Sequence, residues 1–177
     1  MQQRRRNARG EGARLRDEII DAATAILEET GSEDAITLRG VARQANVAAP
    51  SIYAHFTDRE EIVAAVVARA FGELDASLAE AAEGGLRAIC EAYLDFAAER
   101  PHRYRVAFGR HHNLPAGEVS AEGQAAFTRL VDACAGNRQT ATLIWISLHG
   151  YASLAAAVPA FPWPDRPAML TAILAQT

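Results

Sequence analysis

Apolar residues recur at intervals of three and four along most of this 177-residue chain, and this spacing constrains the fold more than any other feature. Such spacing places side chains on one face of an α-helix, whereas a half-buried strand needs strict alternation. Strand-like alternation is missing from the sequence and alanine is abundant. The sequence therefore predicts an all-α protein. The first helical segment, residues 14–30, shows the pattern at Leu15, Ile19, Ala22, Ala23, Ile26 and Leu27.

Glycine, proline and capping residues divide this pattern into nine predicted helices. Gly31 is suited to end the first helix in a left-handed conformation, and Thr37 to cap a short second helix over residues 38–45. Pro50 fits the first turn of a third short helix over residues 49–55. Thr57 and Glu60 predict a capping box at the start of a long fourth helix. Five more helices are predicted after the fourth. Interruptions of the apolar pattern at residues 84–85, 101, 111–120, 136 and 159–167 separate them.

Composition excludes several classes of protein. Half of the residues are hydrophobic, but no run approaches the roughly 18 apolar residues of a membrane span. The N-terminus lacks the apolar region of a secretory signal, so we expect a cytoplasmic protein. No glycine-rich phosphate loop, nucleophile elbow or metal-ligand set is present, which argues against an enzyme, a cofactor or a metal site. The adjacent His111 and His112 make a poor metal pair.

The two cysteines, Cys90 and Cys134, lie inside apolar helical patterns. A disulfide between them is one interpretation. The other interpretation, which we favour, is that they are two buried thiols in a reducing compartment.

The charge of the chain is unevenly distributed. The net charge is −4, which argues against a protein that coats DNA without specificity. All 18 basic residues are nevertheless arginine, and six of them fall within the first sixteen residues against the single acid Glu11. Residues 1–13 lack apolar periodicity and are predicted to form a disordered basic arm. The arm is either a solvated tail or a DNA contact.

Three helices within residues 14–56, the last two short and joined by a tight turn, fit a helix-turn-helix unit. Such a unit lays its second short helix in the major groove of DNA. Ile52 and Phe56, four residues apart, are expected to face inward, while Ser51, Tyr53 and His55 project outward. Short helix pairs also occur in ordinary bundles, and Tyr53 by itself could be a packing residue.

The segment "TLRGVARQANVAAPSIYAHFTDREEIVAAV", residues 37–66, resembles the DNA-binding domain of the TetR family of transcriptional regulators. The matching residues include Thr37-Leu38, Val41-Ala42, Ile52-Tyr53 and His55-Phe56. In the second half, "LIWISLHGYASL" and "FAAERPHRYRVAF" are similar to a C-terminal subgroup of that family with a Trp…His-Gly segment.

The resemblance implies which residues meet DNA. Ser51 and Tyr53 match positions that touch bases or phosphates, and His55 and Arg59 match positions that grip phosphate. Asn46 stands where a turn glycine is frequent. Ala48 and Ala49 replace polar residues, so the third helix lacks a side-chain N-cap but could contact a thymine methyl group. The predicted DNA-binding residues are Thr37, Arg39, Ala49, Ser51, Tyr53, His55 and Arg59.

The resemblance also implies a dimer interface and an effector pocket in the second half. Each of these residues is also explained as ordinary core of a single chain. The predicted interface comprises Ile144, Leu148, Tyr151, Ala152, Ala155, Leu170 and Leu174. The predicted pocket comprises Phe71, Leu74, Tyr93, Phe96, Tyr104, Phe108, Phe127 and Trp145.

The sequence as a whole predicts two all-α domains after the arm. Residues 14–57 would form a three-helix DNA-binding domain, and residues 58–177 an effector-binding and dimerisation bundle. The predicted function is a homodimeric regulator, repressor rather than activator, which binds an inverted-repeat operator and is released by a small, mainly apolar effector. The alternative is a helical small-molecule-binding protein without specific DNA binding.

Overall fold

The computed structural model describes residues 11–109 and 120–175. Within these ranges the chain forms nine α-helices, two short 3-10 helices and no strand, which confirms the predicted fold class. The predicted arm up to residue 10, and His111 and His112, lie outside the described residues. The α-helices are α1 (Glu11–Thr30), α2 (Leu38–Gln44), α3 (Ala49–Tyr53), α4 (Arg59–Ala81), α5 (Gly85–Glu99), α6 (Pro101–Ala107), α7 (Ala121–Ala133), α8 (Arg138–Ala157) and α9 (Arg166–Leu174).

The ends of α1 and α2 follow the predicted capping. Gly31 has a φ of 67° and donates its N–H to the Leu27 carbonyl over 2.8 Å. The Thr37 hydroxyl accepts the Gly40 N–H at 3.0 Å and so caps α2. However, α1 begins at Glu11, three residues before the predicted start, and α3 ends at Tyr53, two residues before its predicted end.

The turn between α2 and α3 is a Schellman motif centred on Asn46. Asn46 has a φ of 54° and donates to the Arg43 carbonyl at 3.1 Å, while the Val47 N–H reaches the Ala42 carbonyl at 2.9 Å. Asparagine tolerates this left-handed conformation better than other non-glycine residues do. Asn46 therefore fixes the angle at which the chain leaves α2.

The predicted cap of α4 is wrong by one residue. Asp58, rather than Thr57, is the N-cap, and its Oδ1 accepts the Glu61 N–H at 2.9 Å. Glu61, rather than Glu60, reaches back from the first turn, and it accepts the N–H of Thr57, the residue before the N-cap, at 2.7 Å. Aspartate caps a helix as well as threonine does. With Asp58 as the N-cap, the glutamate at the third helical position is Glu61 instead of Glu60.

The described residues divide into two compact units. The first contains residues 11–67 and 108–109, and the second residues 68–107 and 120–175. The division falls inside α4, between Val67 and Ala68, whereas the limit predicted from the sequence lies between residues 57 and 58. The first two turns of α4 thus belong to the unit that contains the helix-turn-helix.

The second unit is built around α5, which packs against α6, α7, α8 and α9. Ion pairs hold the outer helices to this arrangement. Arg103 of α6 donates to Glu73 of α4 at 2.7 Å, and Arg166 of α9 donates to Asp95 of α5 at 2.6 Å. Arg129 of α7 forms a two-pronged pair with Asp75 of α4.

The two cysteines are free thiols. Cys90 is buried, as expected, but Cys134 at the end of α7 is only half-buried. Burial raises the pKa of the Cys90 thiol to about 12, so this group stays protonated at neutral pH.

Candidate functional site

Helix α3 and the turn after it are held by two buried side chains, Ile52 within the helix and Phe56 three residues beyond its end. Ile52 has no exposed surface, and Phe56 is 2 % exposed. The Arg16 guanidinium of α1 covers the Phe56 ring at 5.1 Å from its centroid, a cation–π contact. The inward orientation predicted for Ile52 and Phe56 is confirmed, and it decides which side chains of α3 face outward.

Tyr53 is the most exposed large apolar side chain in the described part of the protein, at 59 %. Ser51 and His55 on either side of it are half-buried. A tyrosine left outside the core forgoes the roughly 1.5–3 kcal/mol that burial of a large side chain provides. Its exposure therefore fits a contact surface better than a packing role.

The start of α2 contributes further polar groups. Thr37, Arg39 and Arg43 are all exposed. The bond from the Gly40 N–H uses the Thr37 hydroxyl as an acceptor, which leaves its O–H as a donor. Ala49 of α3 is half-buried, and its helix has no side-chain cap, as predicted.

The start of α1 lies beside the end of α3, which the sequence did not reveal. A Cβ placed on Gly12 would lie 3.8 Å from Cε1 of His55. The first turn of α1 is therefore adjacent to the residues proposed to meet DNA.

Arg59 is oriented differently from Arg39 and Arg43. Its Nε donates to the Ile36 carbonyl at 2.9 Å and its Nη2 to the Glu33 carbonyl at 2.6 Å. Its side chain is only 29 % exposed. The structure thus places this guanidinium against the turn between α1 and α2.

In the second unit, hydroxyl, imidazole and indole groups form a cluster that we call the tyrosine–histidine cluster: Tyr93, Tyr104, Trp145, His149 and Ser153. The Tyr104 hydroxyl lies 2.7 Å from Nδ1 of His149 and 3.1 Å from the Tyr93 hydroxyl. Ser153 lies at the other ring nitrogen, with 3.5 Å between Oγ and Nε2. Burial raises the pKa of both tyrosines and lowers that of His149. The cluster is therefore uncharged at neutral pH.

The cluster includes three of the predicted pocket residues, Tyr93, Tyr104 and Trp145, and Phe127 packs on Trp145 with 5.7 Å between ring centroids. Leu74 and Phe96 are at most 2 % exposed and lie in the core. Phe71 is half-buried in the second unit, whereas Phe108 is grouped with the first. His149, which is not among the predicted pocket residues, lies at the centre of the cluster.

Three of the predicted interface residues are buried inside the protomer. Ile144, Leu148 and Leu170 are each 1 % exposed, so they have almost no surface to offer a second chain. Tyr151, Ala152, Ala155 and Leu174 are half-buried. The exposed large apolar residues of α8 are Leu143 (54 %), Trp145 (36 %), Ile146 (57 %) and Leu154 (52 %).

Neither a metal centre nor a membrane-spanning helix is found within residues 11–109 and 120–175. In these ranges no group of three or more His, Cys, Asp or Glu side chains is arranged to hold a metal ion. None of the described helices combines the length and the apolar character that a membrane span requires.

Comparison with models of known protein families shows to which family the chain belongs. Residues 19–66 match the model for bacterial regulatory proteins of the tetR family, and residues 86–177 match the tetracyclin repressor-like C-terminal domain. The second model alone covers 92 of the 177 residues, from 86 to 177. The chain belongs to the TetR family.

Individual relatives agree with this TetR-family assignment. The chain is 27 % identical over 118 residues to the uncharacterized HTH-type transcriptional regulator YobS of Bacillus subtilis (strain 168), a match that covers 64 % of this chain and only 61 % of that regulator. A protein of unknown function from Rhodococcus sp. RHA1 has the same fold, with a TM-score of 0.72 and 24 % identity over 97 % of this chain and 94 % of that one. The fatty acid degradation regulator FadR from Bacillus halodurans also shares the fold, with a TM-score of 0.68 and 15 % identity over 89 % and 91 % of the two chains.

The TetR-family models cover both sets of side chains described above. Helices α2 and α3 lie within the N-terminal match, and the tyrosine–histidine cluster lies within the C-terminal match. The protein is thus a helix-turn-helix transcription regulator whose DNA-binding and C-terminal parts are both present.

The lowered pKa of His149 predicts a pH-dependent stability. In the unfolded chain this histidine titrates near 6.5, its ordinary value, whereas burial in the fold favours the neutral ring. Below that pH the unfolded state binds more protons, so stability is lost as the pH falls. We expect the free energy of unfolding of wild type, relative to His149→Gln, to decrease between pH 7.5 and 5.5 in urea titrations.

Tyr104→Phe is the matched control, since it removes the hydroxyl at Nδ1 but keeps the buried histidine. We expect it to retain the pH-dependent loss. A constant difference between wild type and His149→Gln across this pH range would contradict the prediction.

Proposed function

We propose that this TetR-family regulator is a homodimeric repressor that binds an inverted-repeat operator in the cytoplasm and is released by a small, mainly apolar effector. The observation that supports it best is α3 itself, which is anchored by the buried Ile52 and Phe56 and leaves Tyr53 59 % exposed. We propose no catalytic activity for the chain.

The proposed DNA contacts fall into two groups with different roles. Ser51 and Tyr53 on α3 would meet base edges, and Ala49 would meet a thymine methyl group. Thr37 and Arg39 at the start of α2, with His55 at the end of α3, would bind phosphates and set the register of α3 in the groove. The exposure of Thr37, Arg39 and Tyr53 is compatible with these roles.

We expect Tyr53→Ala and Ser51→Ala to reduce binding to the selected operator by roughly ten-fold or more each, because a good base contact contributes about 1–3 kcal/mol of discrimination. The operator is first obtained by selection from random duplexes on the purified protein. Affinities for operator and random duplex are then measured by fluorescence anisotropy at two salt concentrations.

Tyr53→Phe is the matched control, because it keeps the ring and removes only the hydroxyl. If Tyr53 stacks or packs on the DNA, this variant should retain most of the affinity. Equal losses on operator and random duplex for Tyr53→Ala and Ser51→Ala would remove these residues from base recognition. Failure of wild type to enrich any duplex would favour the helical small-molecule binder.

The proposed dimer uses the exposed face of α8. Leu143, Ile146 and Leu154 recur at helical spacing on that face, and Gly150 between them permits close helix approach. After Arg138 the whole of α8 contains no charged residue. A charge-free apolar face of this kind is typical of protein–protein contact. Two copies joined there would present two α3 helices to half-sites about one DNA turn apart.

We expect Leu143→Glu combined with Ile146→Glu to convert the dimer into a monomer, because each substitution buries a carboxylate in the proposed interface. Sedimentation over a hundred-fold concentration range measures the change. Ala125→Glu on α7 adds the same charge to an exposed site of the same unit, and it should leave the dimer intact. A double variant that dimerises like wild type would place the interface elsewhere.

The proposed effector site is next to the tyrosine–histidine cluster. Trp145 is 36 % exposed and contacts Phe127, so an aromatic surface adjoins uncharged hydrogen-bonding groups. Such surroundings suit an apolar or aromatic molecule with few polar atoms better than a charged one.

A panel of uncharged aromatic and aliphatic compounds would be tested for release of the labelled operator. For an active compound, we expect the concentration that releases half of the operator to rise roughly ten-fold or more in Trp145→Ala. A loss of this size is typical of removing one well-packed aromatic contact. Release by charged compounds alone would contradict the proposed class of effector.

A further inference from the structure

Arg59 begins α4 but belongs, by its contacts, to the turn that precedes α2. Nε donates to the Ile36 carbonyl at 2.9 Å and Nη2 donates to the Glu33 carbonyl at 2.6 Å. One guanidinium thus spans the 3-10 helix Glu33–Ala35 from its first carbonyl to the carbonyl just beyond its end. A rigid planar fork with several N–H groups is suited to such a two-point contact.

The carbonyls that Arg59 binds determine where α2 begins. The Glu33 carbonyl also accepts the Ile36 N–H at 3.0 Å, which closes the turn. Ile36 is fully buried and directly precedes Thr37, the N-cap of α2. Arg59 therefore holds both the turn and the backbone that presents the Thr37 hydroxyl.

Charge around Arg59 makes it a poor phosphate ligand in this arrangement. Its Nη2 lies 3.5 Å from Oδ1 of Asp34, and its Nη1 lies 3.8 Å from Oε1 of Glu60. A phosphate would be left with the N–H groups that the two carbonyls do not use, mainly those of Nη1, and it would have to approach two carboxylates there. Arg39, in contrast, is exposed on α2.

We propose that Arg59 is a positioning residue: it fixes the Glu33–Ile36 turn and thereby Thr37, and the phosphate contact at the start of α2 is made by Thr37 and Arg39. This replaces the phosphate contact that the family resemblance implies for Arg59, and it rests on the proposed DNA-binding function. A turn held by two carbonyls needs the arginine fork, whereas a phosphate contact needs mainly the positive charge. Arg59→Lys keeps the charge and loses the fork, so it separates the two roles.

The first experiment needs no DNA. Amide exchange of Gly40 and Val41, whose N–H groups bond to Thr37, reports how firmly the start of α2 is held. We expect exchange to speed up by roughly ten-fold or more in both Arg59→Ala and Arg59→Lys, because hydrogen bonds from a charged donor are lost. Arg39→Ala is the control and should leave these two amides unchanged. Wild-type exchange in both Arg59 variants would overturn the proposal.

The second experiment measures operator affinity as a function of salt for the same variants. For Arg59→Ala and Arg59→Lys we expect a similar loss of affinity, roughly ten-fold, with the salt slope unchanged, whereas Arg39→Ala should reduce the slope by about 0.9, the value of one released counterion. Full affinity in Arg59→Lys with a reduced slope in Arg59→Ala would identify Arg59 as a phosphate ligand and overturn the proposal.

A double-mutant cycle shows whether Arg59 acts through Thr37. If it does, Arg59→Ala should cost much less affinity in a Thr37→Val background than in wild type. Additive losses would show that Arg59 acts independently of Thr37 and would overturn the proposal.

Failure of the proposed DNA-binding function and failure of the proposed role of Arg59 would give different results. If wild type selects no duplex, the proposed function fails and the phosphate assignment with it, while amide exchange still decides whether Arg59 holds the turn.

Discussion

The burial of Ile52 and Phe56 is the interaction on which the proposed DNA-binding surface depends. Helix α3 has only five residues, and a helix of that length is not stable alone in water. Its conformation comes from two side chains that are at most 2 % exposed, held against α1 and α2. Each contributes about 1.5–3 kcal/mol of burial energy. Because these two are fixed inside, Tyr53 must lie outside.

Local patterns predicted most of the fold because each depends on neighbours in the sequence. The N-cap at Thr37, the left-handed Gly31 and the first-turn Pro50 each follow from backbone requirements within a few residues. The α4 cap was wrong because aspartate and threonine compete for the same role one residue apart, and propensity alone does not choose between them.

The orientation of longer side chains could not be predicted in this way. The contacts of Arg59 to Glu33 and Ile36 span 26 and 23 residues, and those of Tyr93 and Tyr104 to His149 span 56 and 45. The burial of Ile144 and Leu148 of α8 within the protomer could not be predicted for a similar reason. Apolar residues surround most of that helix, so the periodicity did not reveal which stripe the protomer buries.

The arginines of the two units have different kinds of partner. In the second unit, Arg103, Arg129 and Arg166 bind carboxylates on neighbouring helices. The tyrosine–histidine cluster of that unit is uncharged at neutral pH. In the first unit, Arg59 is bound to backbone carbonyls while Arg39 and Arg43 stay exposed. A guanidinium bound to carbonyls fixed in the fold costs more to redirect than one bonded to water, because those carbonyls lose their N–H donor when it leaves. The partners of each arginine, rather than its position in the sequence, therefore indicate which can bind a phosphate and which keep the fold in place.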